Sequence, residues 1–179
     1  MISAPRVSRV PFAVFSPCSR YRYMLGWPTG IDNDLYALFA LANPSTATAE
    51  QPDPTVTRCI NYSKRWGYGW CHVVNARAWR ETDPNLVPHD PLAISEPKDP
   101  SLNDDTIQAQ AMGAAVVICG WGKLAGDARA AQILAYLKAA GVKPYVLALN
   151  NDGTPRHPLA RGKMALRASA QPIEWEGRE

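Results

Sequence analysis

The chain has 179 residues, of which 46% are hydrophobic and 20% are charged, and its formal net charge is +3. These values are ordinary for a soluble globular protein and argue against a disordered or low-complexity chain, so we expect one domain over residues 1–179. The weak positive charge is compatible with a nucleic-acid partner but does not by itself indicate one.

The N-terminal part of the chain predicts edge strands rather than a targeting segment. Its hydrophobic stretch is broken by Pro11 and too short for a secretion signal, and no apolar run in the chain reaches the roughly 18 residues of a membrane span. We therefore expect a cytoplasmic protein with no membrane partner. Residues 7–15 and 20–27 are β-prone runs separated by a turn, which favours a hairpin or two edge strands, with Tyr21, Tyr23, Leu25 and Trp27 on one buried face.

An apolar run over residues 35–42 is typical of a strand that is buried on both faces. It stops at Asn43-Pro44-Ser45-Thr46, where polar side chains begin. In an open α/β sheet, ligands bind at the carboxyl ends of central strands, so this loop is the predicted floor of a crevice. Asp53-Pro54 then has the pattern of an N-cap followed by proline, which predicts a helix over residues 54–66 that stops at Gly67.

A second buried strand is predicted over residues 70–75 and ends in Asn75, followed by a proline-rich loop over residues 76–101. A helix to Met112, a strand over 114–119, a helix over 123–140 and a strand over 144–149 follow. This alternation predicts an α/β fold, a three-layer sandwich with a central, mostly parallel sheet. Four loops, residues 43–46, 75–80, 120–122 and 150–158, are expected to meet at one edge of that sheet.

Several motifs carry a family resemblance over nearly the whole chain: NPSTA, DPTVTRC, RWGYG, VVNARAWRETDP, GWG and DGTPRHPL. Together they resemble domain-of-unknown-function family 1643 (DUF1643), whose label implies no activity. Their order also resembles the uracil-DNA glycosylase superfamily, which implies that superfamily's fold. There, an early strand ends in a water-positioning loop, a middle strand ends in a base-reading asparagine, and a late loop carries His-Pro-Ser. The chain departs from that pattern at Ser45, where the mismatch-specific branch has glycine, at Leu159, where the superfamily has serine, and in lacking the iron-sulfur branch's cysteine pattern.

The resemblance implies hydrolysis of the bond between a base and its sugar, which passes through an oxocarbenium-like sugar. Asn43 would orient the attacking water, helped by the hydroxyl of Ser45 or Thr46, and His157 would donate to the departing base. Asn75 could make two hydrogen bonds to a pyrimidine edge. For each of these residues a structural role in a turn or cap is the alternative. Asp53 lies close to the first loop, where helix capping is favoured over a role as general base.

Two further groups could hold a nucleic acid at the same edge. Aromatic rings could stack on an extruded base, and Trp121 is favoured for this role over Trp79, Tyr68 and Trp70, although core packing is the common role of such rings. Cationic side chains could hold phosphates or be solvated surface charges; these are Arg77, Arg80, Arg156, Arg161 and Lys163. His72 is expected to have a structural role in the core or at the surface. His89 is expected to lie exposed in the proline-rich loop.

The leading hypothesis is thus a DNA glycosylase-like hydrolase that acts on the N-glycosidic bond of an extruded, unmodified or modified pyrimidine base. The alternatives are a non-catalytic DNA- or nucleotide-binding protein, and a nucleoside- or nucleotide-level hydrolase or transferase. The expected partner is DNA, single-stranded or modified, or a nucleotide, and the expected state is a monomer. The sequence contains no P-loop, no GxGxxG and no metal-spaced His/Cys cluster, so we expect neither cofactor nor metal. The four cysteines form no CxxC pair, and a role as reduced core thiols is favoured over a disulfide or cluster ligand.

Overall fold

The computed structural model describes residues 9–177, in which seven strands form one sheet together with three α-helices. The strands are β1 (Phe12–Phe15), β2 (Arg22–Pro28), β3 (Tyr36–Leu41), β4 (Trp70–Asn75), β5 (Val116–Cys119), β6 (Pro144–Val146) and β7 (Ile173–Glu174). The helices are α1 (Pro54–Arg65), α2 (Leu102–Gly113) and α3 (Asp127–Ala139). Short 3₁₀ turns occupy Pro84–Leu86, Gly122–Ala125 and Gly162–Met164. The mixed α/β class predicted from the sequence is confirmed.

The sheet is mixed, with strand order β1-β2-β4-β3-β5-β6-β7. The central strands β4, β3, β5 and β6 are parallel, whereas β1 with β2, β2 with β4, and β6 with β7 pair antiparallel. The predicted N-terminal hairpin is present, although residues 7 and 8 of its first run lie outside the described residues. The prediction of a mostly parallel sheet is wrong, because the hairpin joins the sheet beside β4 and because β7 adds an antiparallel edge.

Local sequence signals set most of the element bounds. The strand predicted over residues 70–75 is β4, and the helix predicted from Pro54 is α1. The helix predicted over residues 123–140 is shorter at its start, because the chain first makes the 3₁₀ turn Gly122–Ala125. Gly126 then has a φ of 75°, a conformation that glycine adopts without strain and that interrupts a helix, so α3 begins at Asp127.

Helices cover both faces of the central strands. Along β3, Leu38 and Ala40 share a buried cluster with residues of α2 and α3. The alternate residues Phe39 and Leu41 share a second cluster with residues of α1. Because side chains alternate between the two faces of a strand, this division explains why the run is apolar at every position. No helix within residues 9–177 is both long and apolar enough to cross a membrane.

The carboxyl ends of the parallel strands lie side by side. Leu41 of β3 is paired with Asn75 of β4, and the backbone N–H of Ala76 donates to the carbonyl of Leu41 over 2.7 Å. On the other side of β3, the N–H of Gly120 donates to the carbonyl of Ala40 over 2.9 Å. The loops that follow β3, β4 and β5 therefore leave the sheet at the same edge, which is where the sequence predicts a crevice.

Candidate functional site

A cleft of about 230 Å³ opens at this edge of the sheet. Five of the residues singled out from the sequence line it, from three separate parts of the chain: Asn43, Ser45, Asp53, Asn75 and His157. The remaining lining residues are Arg22, Leu41, Thr55, Val56, Glu81, Thr82 and Leu124. The structure thus brings the predicted loops after β3 and β4 together with the late His-Pro loop, while the roles of the individual side chains remain predictions.

Asn43 is held in one orientation by the loop that follows β4. Its side-chain Nδ2 donates to the backbone carbonyl of Glu81 over 2.7 Å and to that of Pro44 over 3.2 Å. The side-chain Oδ1 has no hydrogen-bond partner in the described part of the chain and can accept from a water or a ligand. The orientation suits a residue that accepts a hydrogen bond from a water.

Asp53 caps α1 and also lines the cleft. The backbone N–H of Val56 donates to Oδ1 over 2.8 Å, so the predicted capping role is confirmed. Oδ2 has no hydrogen-bond partner within residues 9–177, which leaves one carboxylate oxygen available for a proton. Ser45 lines the cleft and is half-buried, whereas Thr46 is exposed and not among the lining residues. Of the two hydroxyls proposed to help Asn43, the structure brings only that of Ser45 to the cleft.

His157 presents a defined nitrogen to its surroundings. The backbone N–H of Leu159 donates to Nδ1 over 3.2 Å, so the proton of the neutral imidazole lies on Nε2. Burial lowers the pKa of His157 from its ordinary value, and the negative charge of Asp53 opposes that shift. The side chain is therefore a neutral N–H donor near pH 7. Its neighbour Pro158 is buried against Gly120, which links the late loop to the end of β5.

The inner wall of the cleft is formed by Asn75 and Arg22, which are 1% and 2% exposed. Nη2 of Arg22 donates to Oδ1 of Asn75 over 3.1 Å, and Nη1 donates to the carbonyl of Ala47 over 3.0 Å. Nδ2 of Asn75 and Nε of Arg22 are buried without a partner. The oxygen of Asn75 thus already accepts one hydrogen bond, from Arg22, and its N–H₂ group has no partner. The predicted two-bond contact of Asn75 with a pyrimidine stays a prediction.

Arg22 is a buried cation that the sequence analysis did not single out. Burial lowers its pKa to about 10, a shift that the negative charge of Asp53 opposes, so the guanidinium is still charged near pH 7. Within residues 9–177 it has no carboxylate partner at ion-pair distance. It lies between Tyr21 and Tyr23, which the sequence analysis placed on one buried face of the strand, and β2 is buried on its other face as well. The sequence signal that could have pointed to Arg22 is a charged residue inside a predicted strand that is mostly apolar and aromatic.

Two buried polar side chains hold the backbone at the end of β4. Nδ2 of Asn103 donates to the carbonyls of Asn75 and Ala76 over 3.1 and 3.3 Å. Nε of Arg129 donates to the same carbonyl of Ala76 over 2.7 Å, and its Nη2 forms an ion pair with Asp104 over 2.5 Å. Residues from α2 and α3 thereby fix the position from which Asn75 enters the cleft.

The aromatic rings proposed for base stacking lie elsewhere. Trp121 is 1% exposed and packs in the core beside Trp175, with ring centroids 6.2 Å apart, so its assignment to base stacking is wrong. Trp79 packs edge-on against Tyr21 and does not line the cleft. Tyr68 and Trp70 are also absent from its lining. His72 is half-buried and stacks on Tyr36, and His89 is exposed, in agreement with their expected structural roles.

Most of the proposed phosphate ligands already have protein partners. Arg77 forms an ion pair with Asp90 over 2.8 Å, Arg80 donates to the carbonyl of Ser19 over 2.8 Å, and Arg156 donates to the carbonyl of Leu149 over 2.6 Å. Arg161 and Lys163 are exposed and have no such partner in the described structure. These two side chains are thus the candidates that remain most available to a phosphate.

None of the four cysteines lines the cleft. All four cysteines are free; Cys59, Cys71 and Cys119 are buried in the core, as predicted, and Cys18 is exposed. Within residues 9–177, no group of three or more His, Cys, Asp or Glu side chains could hold a metal ion.

Comparison with known proteins identifies a family but no activity. A family model described as "Protein of unknown function (DUF1643)" matches residues 22–159, well over half of the chain. The match begins at Arg22 and includes every residue that lines the cleft. No curated protein and no solved structure matches the chain.

Proposed function

The chain belongs to the DUF1643 family of proteins of unknown function, and we propose that it hydrolyses the N-glycosidic bond of an extruded pyrimidine base in DNA. The observation that carries the proposal is that Asn43, Asp53, Asn75 and His157 all line one cleft at the carboxyl ends of β3 and β4. As part of this proposal, the sheet and the helices on its two faces have the three-layer arrangement of a glycosylase. The order of the motifs along the chain, which resembles that of the uracil-DNA glycosylase superfamily, supports this part.

The departing base would leave toward the N–H donors that line the cleft. When the bond between the base nitrogen and the sugar C1′ breaks, its electron pair stays on the base, which becomes negatively charged. Nε2–H of His157 and Nδ2 of Asn75 are donors, and Arg22 adds a positive charge. Fixed donors and charges in a buried site stabilise such developing charge strongly, because they need no reorganisation during the reaction.

The attacking water would bind at the oxygen acceptors that line the cleft. Oδ1 of Asn43 and the hydroxyl of Ser45 would orient it toward C1′ of the sugar. As the water oxygen bonds to C1′, its proton would pass to Oδ2 of Asp53, the carboxylate oxygen that the helix cap leaves free. A positioned carboxylate of this kind typically contributes about 10² to 10⁴ in rate as a general base. Asp53 thus joins helix capping to general-base chemistry.

The nucleic-acid part of the proposal rests on extrusion of the base. An enzyme that acts on a base within a duplex must turn that base out of the stack, and it binds the phosphates through cationic side chains. The cations best suited to this role are Arg161 and Lys163, which are both exposed. Lys163 lies on the turn Gly162–Met164, and Arg161 lies just before it.

A second candidate function is a nucleoside- or nucleotide-level hydrolase or transferase that uses the same cleft. The observation that favours it is the internal pairing of Arg77, Arg80 and Arg156, which reduces the charge available to a DNA backbone. A free nucleoside needs no such charge.

The test is incubation of the folded protein with oligonucleotides that contain uracil or modified pyrimidines, followed by detection of abasic sites. Free nucleosides are assayed in parallel and separate the second candidate from the first. Asn43→Ala should abolish turnover, whereas Asn61→Ala, an exposed position on α1, should not change it. Salt-dependent binding without turnover, unaffected by Asn43→Ala, would instead identify a non-catalytic DNA-binding protein. No turnover of any substrate by folded protein would refute the proposed hydrolysis.

A further inference from the structure

The positive charge of the chain is concentrated in two segments. Residues 54–80 and 153–173 contain nine of the 19 lysine and arginine residues and none of the 16 aspartate and glutamate residues. The remainder of the chain is therefore net acidic, although the whole chain carries only +3. Such a separation of charge produces a positive field on one part of the surface if the two segments lie together in the fold.

Three hydrogen bonds fasten the second segment to α1. Each joins a side chain at the helix to a backbone carbonyl of the segment: Nη2 of Arg58 to Leu166 over 2.5 Å, the hydroxyl of Tyr62 to Arg167 over 2.9 Å, and Nε1 of Trp66 to Ala170 over 3.1 Å. Because the three donors are spaced four residues apart, they lie on the same face of the helix, and residues 166–170 run along that face. The fold thus places the two cationic segments side by side.

Cationic side chains surround a recess of about 410 Å³ at this contact. Arg58 lines it together with Lys64 and Arg65, which are exposed in the last turn of α1. Arg167 is exposed as well and precedes Ala168, another lining residue. In the described part of the chain, none of these four cations has a carboxylate at ion-pair distance. The surface that they form is called the basic face below.

The basic face is connected to the cleft through both segments. α1 begins at the cleft, and Lys64 lies about 15 Å from the start of the helix, at a rise of about 1.5 Å per residue. The second segment leaves the cleft at His157 and passes the exposed side chains of Arg161 and Lys163 before it reaches Arg167. A strand whose base occupies the cleft would therefore meet positive charge in this direction.

We propose that the basic face binds the sugar-phosphate backbone of the nucleic acid that flanks the extruded nucleotide. The inference rests on the proposed function in taking the anionic partner to be a nucleic acid. An anionic membrane is another large polyanion, but an interfacial segment binds a bilayer through apolar side chains as well as cations. None of the exposed large hydrophobic side chains found within residues 9–177 lies in residues 54–80 or 153–173. Phosphates, by contrast, are bound by cations and hydrogen-bond donors without apolar contacts.

The test is the binding of a labelled oligodeoxyadenylate of about 15 nucleotides, a length that covers a typical single-strand site, measured by fluorescence anisotropy. It contains no pyrimidine, so it is not a substrate of the proposed hydrolysis. Lys64→Gln/Arg65→Gln/Arg167→Gln removes three exposed cations and keeps the three hydrogen bonds that hold the second segment to α1. Each single-strand phosphate contact contributes a factor of about 5 to the affinity at about 0.1 M salt relative to 1 M, so the triple variant should bind about 100-fold more weakly. The slope of log K against log salt should become shallower by about 2.

The matched control is Lys98→Gln/Lys138→Gln/Lys143→Gln. It removes the same net charge from exposed positions outside the two segments, and Lys138 also lies in the last turn of a helix. The affinity of the control should stay within about threefold of wild type, because salt at about 0.1 M screens exposed charges beyond about 10 Å. An equal loss of affinity in the two triple variants would show that only net charge matters, which would overturn the inference.

The remaining outcomes separate this inference from the proposed hydrolysis, which is measured as abasic-site formation. Binding that depends on the basic face, without turnover, would support the inference and refute the hydrolysis. Turnover by a protein whose affinity for the oligonucleotide is unchanged in the basic-face variant would overturn the inference and leave the hydrolysis standing. Binding of phosphatidylserine vesicles without binding of the oligonucleotide would overturn it too. So would absence of oligonucleotide binding by folded wild-type protein at about 1 mM, a concentration above the usual Kd of non-specific binding.

Discussion

Substitution of Asp53 can separate its two roles, because each carboxylate oxygen serves one of them. Oδ1 accepts the N–H of Val56 at the start of α1, and Oδ2 faces no protein donor in the described structure. Asparagine caps a helix about as well as aspartate, whereas alanine at this position typically costs about 1 kcal/mol. Asp53→Asn and Asp53→Ala both remove the charge that opposes the pKa shifts of Arg22 and His157, so the difference between the two variants isolates the cap.

We expect the thermal midpoint of Asp53→Ala to lie about 2 to 4 °C below that of Asp53→Asn, the shift that about 1 kcal/mol produces in a chain of this size. Glycosidic-bond hydrolysis, measured in single turnover as abasic sites, should fall about 10²- to 10⁴-fold in both variants, since neither can accept a proton. If Asp53→Asn keeps its rate within about threefold of wild type, Asp53 is not the general base. Equal midpoints for the two variants would refute the assignment of the cap.

Three further outcomes follow from the packing around the cleft. Gly120→Ala would place its Cβ 2.9 Å from Cδ of Pro158, so we expect a loss of about 1 to 3 kcal/mol in urea unfolding and weaker turnover as the His157 loop shifts. Burial lowers the pKa of both His72 and His157, so the unfolded chain takes up protons first as the pH falls. Stability should therefore be complete above the ordinary histidine value of 6.5 and decrease below it, and urea midpoints of His157→Gln at about pH 7.5 and 5.5 should show a smaller decrease than wild type. Arg129→Met removes the ion pair with Asp104 and one of the two side-chain hydrogen bonds to the carbonyl of Ala76, and it should cost about 3 to 5 kcal/mol in the same unfolding assay.

The elements that the sequence predicts well are those specified by neighbouring residues. The apolar run of β3 ends where Asn43-Pro44 can no longer continue a strand, and Asp53-Pro54 marks the start of α1 by its capping geometry. The convergence of the loops after β3 and β4 also follows from the sequence, since the crossover helix makes these strands parallel and their carboxyl ends must then share an edge. These signals place Asn43 and Asn75 at the cleft.

The properties that the sequence analysis missed or assigned wrongly depend on contacts between residues that are distant in the chain. Trp121 lies between two glycines that could let a ligand approach, but packing against Trp175 places it in the core. The burial of Arg22 depends on contacts of β2 with β4 and with the loop that carries Ala47, which no pattern within residues 20–27 specifies. The orientation of the Asn75 amide depends in turn on Arg22, so it could not be derived from strand position alone.

The polar groups of the cleft are divided by hydrogen-bonding character, and this division fits the proposed hydrolysis. Arg22, Asn75 and the neutral His157 offer N–H donors, while Asn43 and Asp53 offer oxygen acceptors that no protein group occupies in the described structure. A carboxylate oxygen beside these donors does not help to bind the carbonyl edge of a base, because both groups are hydrogen-bond acceptors. A reaction that separates a negative base from a water losing its proton needs both groups on opposite sides of one bond. The free oxygen of Asp53 is therefore the group whose removal in Asp53→Asn tests the proposed hydrolysis separately from the binding of a base.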